Sequence, residues 1–229
     1  MKKISKMNEL AWVVGIIVCA LGVAFCTKSS LGLSMVAAPA YIIHITVSKV
    51  LSFYSQGMSE YIWQAFLLLL TCVIVKRFRL RYLFSFLSAF ISGLFIDMWL
   101  SLLGGGGPYE TIVGRILSFV IGECLIAFAI ALIFRTYLPV QVVELIVIEI
   151  SAKYKLDMNK VKLVNDAVSL ILSIVLTLTL TGGFVGVGIG TIIITVVNAP
   201  LIKLFGKLLD KIFVFDPAFP KLKEFFAKI

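Results

Sequence analysis

Five ionisable residues, Asp97, Arg115, Glu123, Glu144 and Asp166, stand inside otherwise apolar runs of this 229-residue chain. A charge at the centre of a membrane-spanning helix costs roughly 2.5–3.5 kcal/mol, so such residues face a partner or a water-filled cavity and are the first candidates for function. Their types define two chemistries. Carboxylates on a shared cavity bind cations or carry protons, because burial and like charge favour the protonated form. A carboxylate and a guanidinium at one level make either a gate or a structural ion pair.

Depth along the helices sorts the five. Asp97 and Arg115 lie roughly 6–9 Å below one end of their spans at ~1.5 Å per residue, and the short Gly104–Gly107 loop joins the two helices. They are expected to be neighbours. Glu123 and Asp166 fall at nearly one level of a ~30 Å core, about 18 Å from one face and about 12 Å from the other. No basic residue is evident beside them, so they are the leading substrate-binding candidates, with Asn165 as an adjoining hydrogen-bond partner. Glu144 shares a polar stripe with Gln141 in the short apolar stretch 139–152. His44, the single histidine, sits in the stretch 32–51, where a lone histidine is more often a hydrogen-bonded filler than a ligand.

The elements that must hold these residues are membrane helices. Hydrophobic residues make up 61% of the chain and mean hydropathy is +1.09, which defines an all-α polytopic membrane protein. The apolar runs are continuous, whereas a β-barrel needs short alternating segments. Net charge is 21 − 12 = +9, with the Lys and Arg in loops and tails. That distribution fits anionic lipid headgroups rather than nucleic acid. About six runs can span: 10–27, 60–76, 82–103, 111–135, 159–180 and 184–205. The N-terminal run has a basic start but no small-residue cleavage pattern, so it is the first, uncleaved span.

The stretches 32–51 and 139–152 arbitrate the topology. If neither crosses, KRFRLR (76–81), the Lys153–Lys162 group, Lys203, Lys207 and Lys211 all fall on the side of Lys2, Lys3 and Lys6. The positive-inside rule then makes both termini cytoplasmic. The order span, short apolar stretch, span, span occurs twice, over about 1–103 and about 111–205. Each half has three spans, an odd number, so the halves enter from opposite sides: a 3+3 inverted repeat within one membrane domain covering 1–229. Transporters built this way bind substrate near the midplane. The two stretches are then re-entrant or interfacial helices, re-entrant being favoured by their all-round apolarity, and Pro139 fits a first helical turn.

Other motifs are quiet. Cys19, Cys26, Cys72 and Cys124 have no metal-ligand spacing, and no metal or cofactor is implied. GGFVGVGIGT (182–191) lacks the ending of a phosphate loop and opens a membrane helix; Gly186, Gly188, Gly190 and Thr191 are expected to serve helix packing. The tail 207–229 mixes Lys with Leu and Phe, typical of a cytoplasmic membrane-surface segment. No enzyme motif occurs, so an enzyme is not expected.

LGLSMV after the first span, ISGLFID in the third and above all GGFVGVGIGTIIITVVNAPLI resemble the YczE/YitT-type bacterial integral membrane proteins. Two departures stand out: Asn198-Ala199 where the family has Gly before Pro-Leu-Ile, and Glu144 at the position of an Asp. The resemblance implies a bacterial cytoplasmic (inner) membrane. The expected function is an integral membrane transporter of a small molecule or ion, cationic or proton-coupled. The alternative is a non-transporting accessory or substrate-capturing subunit. Expected partners are the lipid bilayer, a small-molecule or ion substrate, and a second copy or a cytoplasmic protein.

Overall fold

The computed structural model describes residues 8–105 and 108–228. Lys2, Lys3 and Lys6, used in the topology argument, and Gly106 and Gly107 of the glycine loop lie outside them. Every regular element among the described residues is helical: α1 (Asn8–Ser29), α2 (Ala38–Val47), α3 (Gln56–Val75), α4 (Leu80–Leu103), α5 (Ile112–Ile133), α6 (Val142–Tyr154), α7 (Met158–Thr181), α8 (Ile189–Ile212) and α9 (Pro220–Lys228). Six of them, α1, α3, α4, α5, α7 and α8, are long and apolar enough to cross a bilayer. The stretches 32–51 and 139–152 supply the short α2 and α6.

Local signals explain the boundaries. Ser55, Thr111 and Asp157 accept backbone N–H groups from Met58, Gly114 and Lys160, capping α3, α5 and α7. Pro39 occupies the first turn of α2, where its missing N–H is harmless. Pro139 does not open a helix: α6 starts three residues later, and Pro139 lies in an extended arm. The reason is tertiary. Its carbonyl accepts from the Trp12 indole at 3.0 Å and the Ser88 hydroxyl at 3.2 Å, which pins the arm before the helix begins.

The helices form two layers. One runs α4, α1, α5, α8, with α1 and α5 as the central, most intimate pair. Glycines permit that intimacy: a Cβ at Gly22 would lie 2.7 Å from the Gly122 carbonyl, and one at Gly122 would lie 2.8 Å from the Gly22 carbonyl. In the other layer both short helices lie between α3 and α7, each touching both. Pairing is therefore reciprocal between the halves: α1 with α4 and α5 with α8, α2 with α7 and α6 with α3. It fails at two places, the first being α4 with α6, which has no comparable contact of α8 with α2. At the second, α3 packs broadly on α4, but their counterparts α7 and α8 hardly touch.

The basic tail does not lie free. Asn8 donates to the Phe215 carbonyl at 2.8 Å, and Glu9 accepts from Ala218 N at 2.9 Å, Phe219 N at 3.0 Å and the Tyr137 hydroxyl at 2.6 Å. Phe225 and Phe226 of α9 stack edge-on against Phe84 of α4. The last helix is thus bound to the same end of the bundle at which α1 begins.

Candidate functional site

Two irregular arms build the site. The first, between α1 and α2, is anchored by Leu33 N to the Gly186 carbonyl at 3.0 Å and by Gly190 N to the Leu31 carbonyl at 2.9 Å. The approach needs glycine: a Cβ at Gly190 would lie 2.6 Å from the Phe119 ring, and Gly186 adopts a φ of +76°. Thr191 Oγ1 accepts from Gly188 N at 3.2 Å in the same turn. These four residues thus seat the α7–α8 connection on the first arm.

The second arm ends where α6 begins. Gln64, eight residues into α3 and fully buried, accepts Val142 N through Oε1 at 3.0 Å. Through Nε2 it donates to Gln141 Oε1 and Glu60 Oε1, each at 3.0 Å. The other end of α6 reaches the last turn of α3, where Lys153 Nζ donates to the Ile74 carbonyl at 2.9 Å. The first turn of α6 therefore sits at mid-height in the bundle, and a polar side-chain chain at that height supports it.

Between the arms lies a cavity of about 150 Å³. Ser34, Met35 and Val36 of the first arm contribute to it, together with Glu144 of α6, Lys162 and Asp166 of α7, and Thr195 and Asn198 of α8. Ile126 and Ile130 of α5, with Phe134 where the second arm begins, complete an apolar wall. Lys162 and Asp166 are an i,i+4 pair, Nζ to Oδ2 3.3 Å. Asn198 Oδ1 is buried with no hydrogen-bond partner. Buried amide oxygens are normally satisfied, so an orphan on a cavity wall points to a missing donor. Two carboxyl groups, one ammonium and one amide thus face a small space, with one carboxyl more than the ammonium can pair.

The sequence candidates divide. Glu144 and Asp166 meet on the cavity wall. Asp166 is not without a cation, because Lys162 stands one turn before it. Glu123 is 4% exposed and does not line the cavity; neither of its oxygens has a hydrogen-bond partner. Asn165 is half-buried on α7 and is not part of the wall. His44 sits with its ring centroid 6.4 Å from that of Tyr41 and 6.5 Å from that of Tyr54, away from the cavity, its Nδ1 buried and unpartnered.

Asp97 and Arg115 do not form the expected ion pair. Asp97 accepts from Ser55 Oγ at 2.5 Å and Gly57 N at 2.7 Å, closing the start of α3. Arg115 donates to the Ser29 carbonyl at 2.7 Å and the Ser30 carbonyl at 3.0 Å, closing the end of α1. Each charge serves a helix terminus, where orphan backbone groups and the helix dipole attract it. The ion pair that does tie two spans is Arg135 with Asp210, Nε to Oδ1 2.6 Å and Nη2 to Oδ2 2.7 Å, linking the end of α5 to α8. Sequence reasoning passed over Gln64, Glu60, Lys162 and Asn198 as site residues; the i,i+4 spacings Glu60–Gln64 and Lys162–Asp166 were the available signal.

Six long apolar helices, with two short ones among them, define a multi-pass helical membrane protein. The chain belongs to the family of unknown function DUF6198, whose model matches residues 6–207. Among curated proteins it is similar to the uncharacterized protein YyaS of Bacillus subtilis (strain 168), 23% identical over 213 residues, which cover 91% of this chain and 96% of that protein. The matching family carries this description and not the YczE/YitT label of the resemblance drawn above. No solved structure matches.

Proposed function

We propose that this chain is a transporter of a small organic cation or zwitterion, and that the cavity between the two arms is its binding site. The observation that carries the proposal is the joint presence of Glu144, Asp166 and Lys162 with the unsatisfied Asn198 on the wall of one cavity. The excess carboxyl selects a positive group, the amide oxygen offers an acceptor for an N–H, and the apolar α5 wall takes a short hydrocarbon part. Reciprocal pairing of α2 with α7 and α6 with α3 supports an inverted repeat, with the site at the repeat interface. In this reading the end of the bundle bearing Arg79, Lys160 and the tail faces the cytoplasm of a bacterial inner membrane.

A docking role for the tail receives less support, since residues 215–226 are engaged with α1 and α4. The test is a thermal-stability screen of the purified protein with small alkylammonium ions, amino acids and betaines. A ligand at 100 times its Kd stabilises by about 2.7 kcal/mol through mass action. Stabilisation that disappears in both Glu144→Gln and Asp166→Asn is expected. Stabilisation indifferent to both changes removes the cavity from consideration.

A further inference from the structure

A second space adjoins the polar cavity. It is a crevice of about 440 Å³ between α7 and α8, walled by Leu170 and Ile174 on one side and by Ile192 and Val196 on the other. Met35 and Thr195 belong to both walls, so the crevice and the cavity are adjacent and share a partition. The crevice lies where the reciprocal packing is weakest, at the slight contact of α7 with α8. Ile192 is 67% and Val196 69% exposed, and these helices face the bilayer in the six-span arrangement. The molecule therefore has an apolar slot on its lipid face, separated from a pair of carboxyl groups only by Met35 and Thr195.

We infer that the substrate is a single-chain amphiphile with a cationic head, its head in the cavity beside Glu144 and Asp166 and its hydrocarbon chain in the α7–α8 crevice. Two independent features select it, the apolar slot for the chain and the unpaired carboxyl for the head, and their adjacency fixes the order in which they lie. The inference rests on the cavity being the binding site. It adds that the site is entered sideways from the membrane, between α7 and α8, rather than only from water. A water-soluble substrate gains nothing from the crevice, whereas an amphiphile can reach the carboxyl groups without leaving the hydrocarbon layer.

The experiment uses the full chain in lipid nanodiscs and two probes: propylammonium, which has the head alone, and dodecylammonium with a diazirine at the end of its chain. Photolabelling of the unaltered protein, mapped by mass spectrometry, is expected to concentrate on Leu170, Ile174, Ile192 and Val196. Label spread equally over the lipid-facing Val168 and Ile171 overturns the inference. Ile174→Trp and Val196→Trp fill the crevice from positions with room for a larger side chain. Both are expected to weaken dodecylammonium at least tenfold while leaving propylammonium within twofold, which also reports that the variants are folded. Equal affinities of dodecylammonium for these variants and the unaltered protein overturn it as well. Loss of both probes in Glu144→Gln and Asp166→Asn tests the cavity separately: a lateral route can fail while the cavity stands, and if neither probe depends on the carboxyl groups the cavity reading itself falls.

Discussion

Gln64 and Val142 hold the two halves of the molecule together at mid-height, the buried amide of α3 accepting the first N–H of α6 at 3.0 Å. The same side chain donates to Gln141 and to Glu60. One residue of the first half thus satisfies an orphan donor of a helix in the second, and through it fixes where Glu144 enters the cavity. Removing the amide strands the buried Val142 N–H in an apolar interior, at about 1–3 kcal/mol for a buried group left unsatisfied.

Gln64→Leu is therefore expected to lower stability by about 1–3 kcal/mol in detergent-solubilised protein, measured by denaturant or thermal unfolding, and to weaken any ligand that needs Glu144. Wild-type stability would mean that water replaces the amide and that α6 is not anchored by it.

Asp97 and Arg115 are expected to behave independently. Alanine at either position uncaps a different helix, at about 0.5–2 kcal/mol each. In a double-mutant cycle the two losses should add to within about 0.5 kcal/mol. A coupling well above that value would show that the charges meet after all.

The α1–α5 contact sets a steric limit. Gly22→Ala places a methyl 2.7 Å from the Gly122 carbonyl and 2.7 Å from the Ile126 side chain. Overpacking of this kind costs about 1–3 kcal/mol. Gly183→Ala, with nothing within 4 Å, is the matched control and should stay within about 0.5 kcal/mol of the parent. Equal melting temperatures for the two variants would contradict the close approach.

Sidedness is open to direct measurement. On a background lacking Cys19, Cys26, Cys72 and Cys124, a cysteine at Gly105 is expected to react with an impermeant reagent from outside the cell. Cysteines at Arg79 and Lys160 should react only after the membrane is opened. External labelling at position 79 reverses the orientation proposed here.

The spans were legible because continuous apolar length is a strong signal that needs no partner to interpret. The expected 82–103 and 159–180 coincide with α4 and α7 to within two residues. What the sequence hid was pairing across long separations. Asp97 and Arg115 sit at similar depth on helices consecutive in sequence, but α1 packs between α4 and α5, and depth alone does not reveal that. Glu123 and Asp166 share a level, but facing direction decides what a residue lines, and only Asp166 faces the cavity. Gln64 looked like an ordinary polar residue near the start of a span. Its importance comes from an arm 77 residues away in sequence.

The bonds from Asn8 and Glu9 to residues 215, 218 and 219 bear on biogenesis. The first helix enters the membrane while the groups that complete it are still unsynthesised. Until the ribosome has delivered the final stretch, that helix carries an amide and a carboxylate with part of their bonding unmet. Loss of residues 215–219 is therefore felt at the far end of the sequence, at the start of α1.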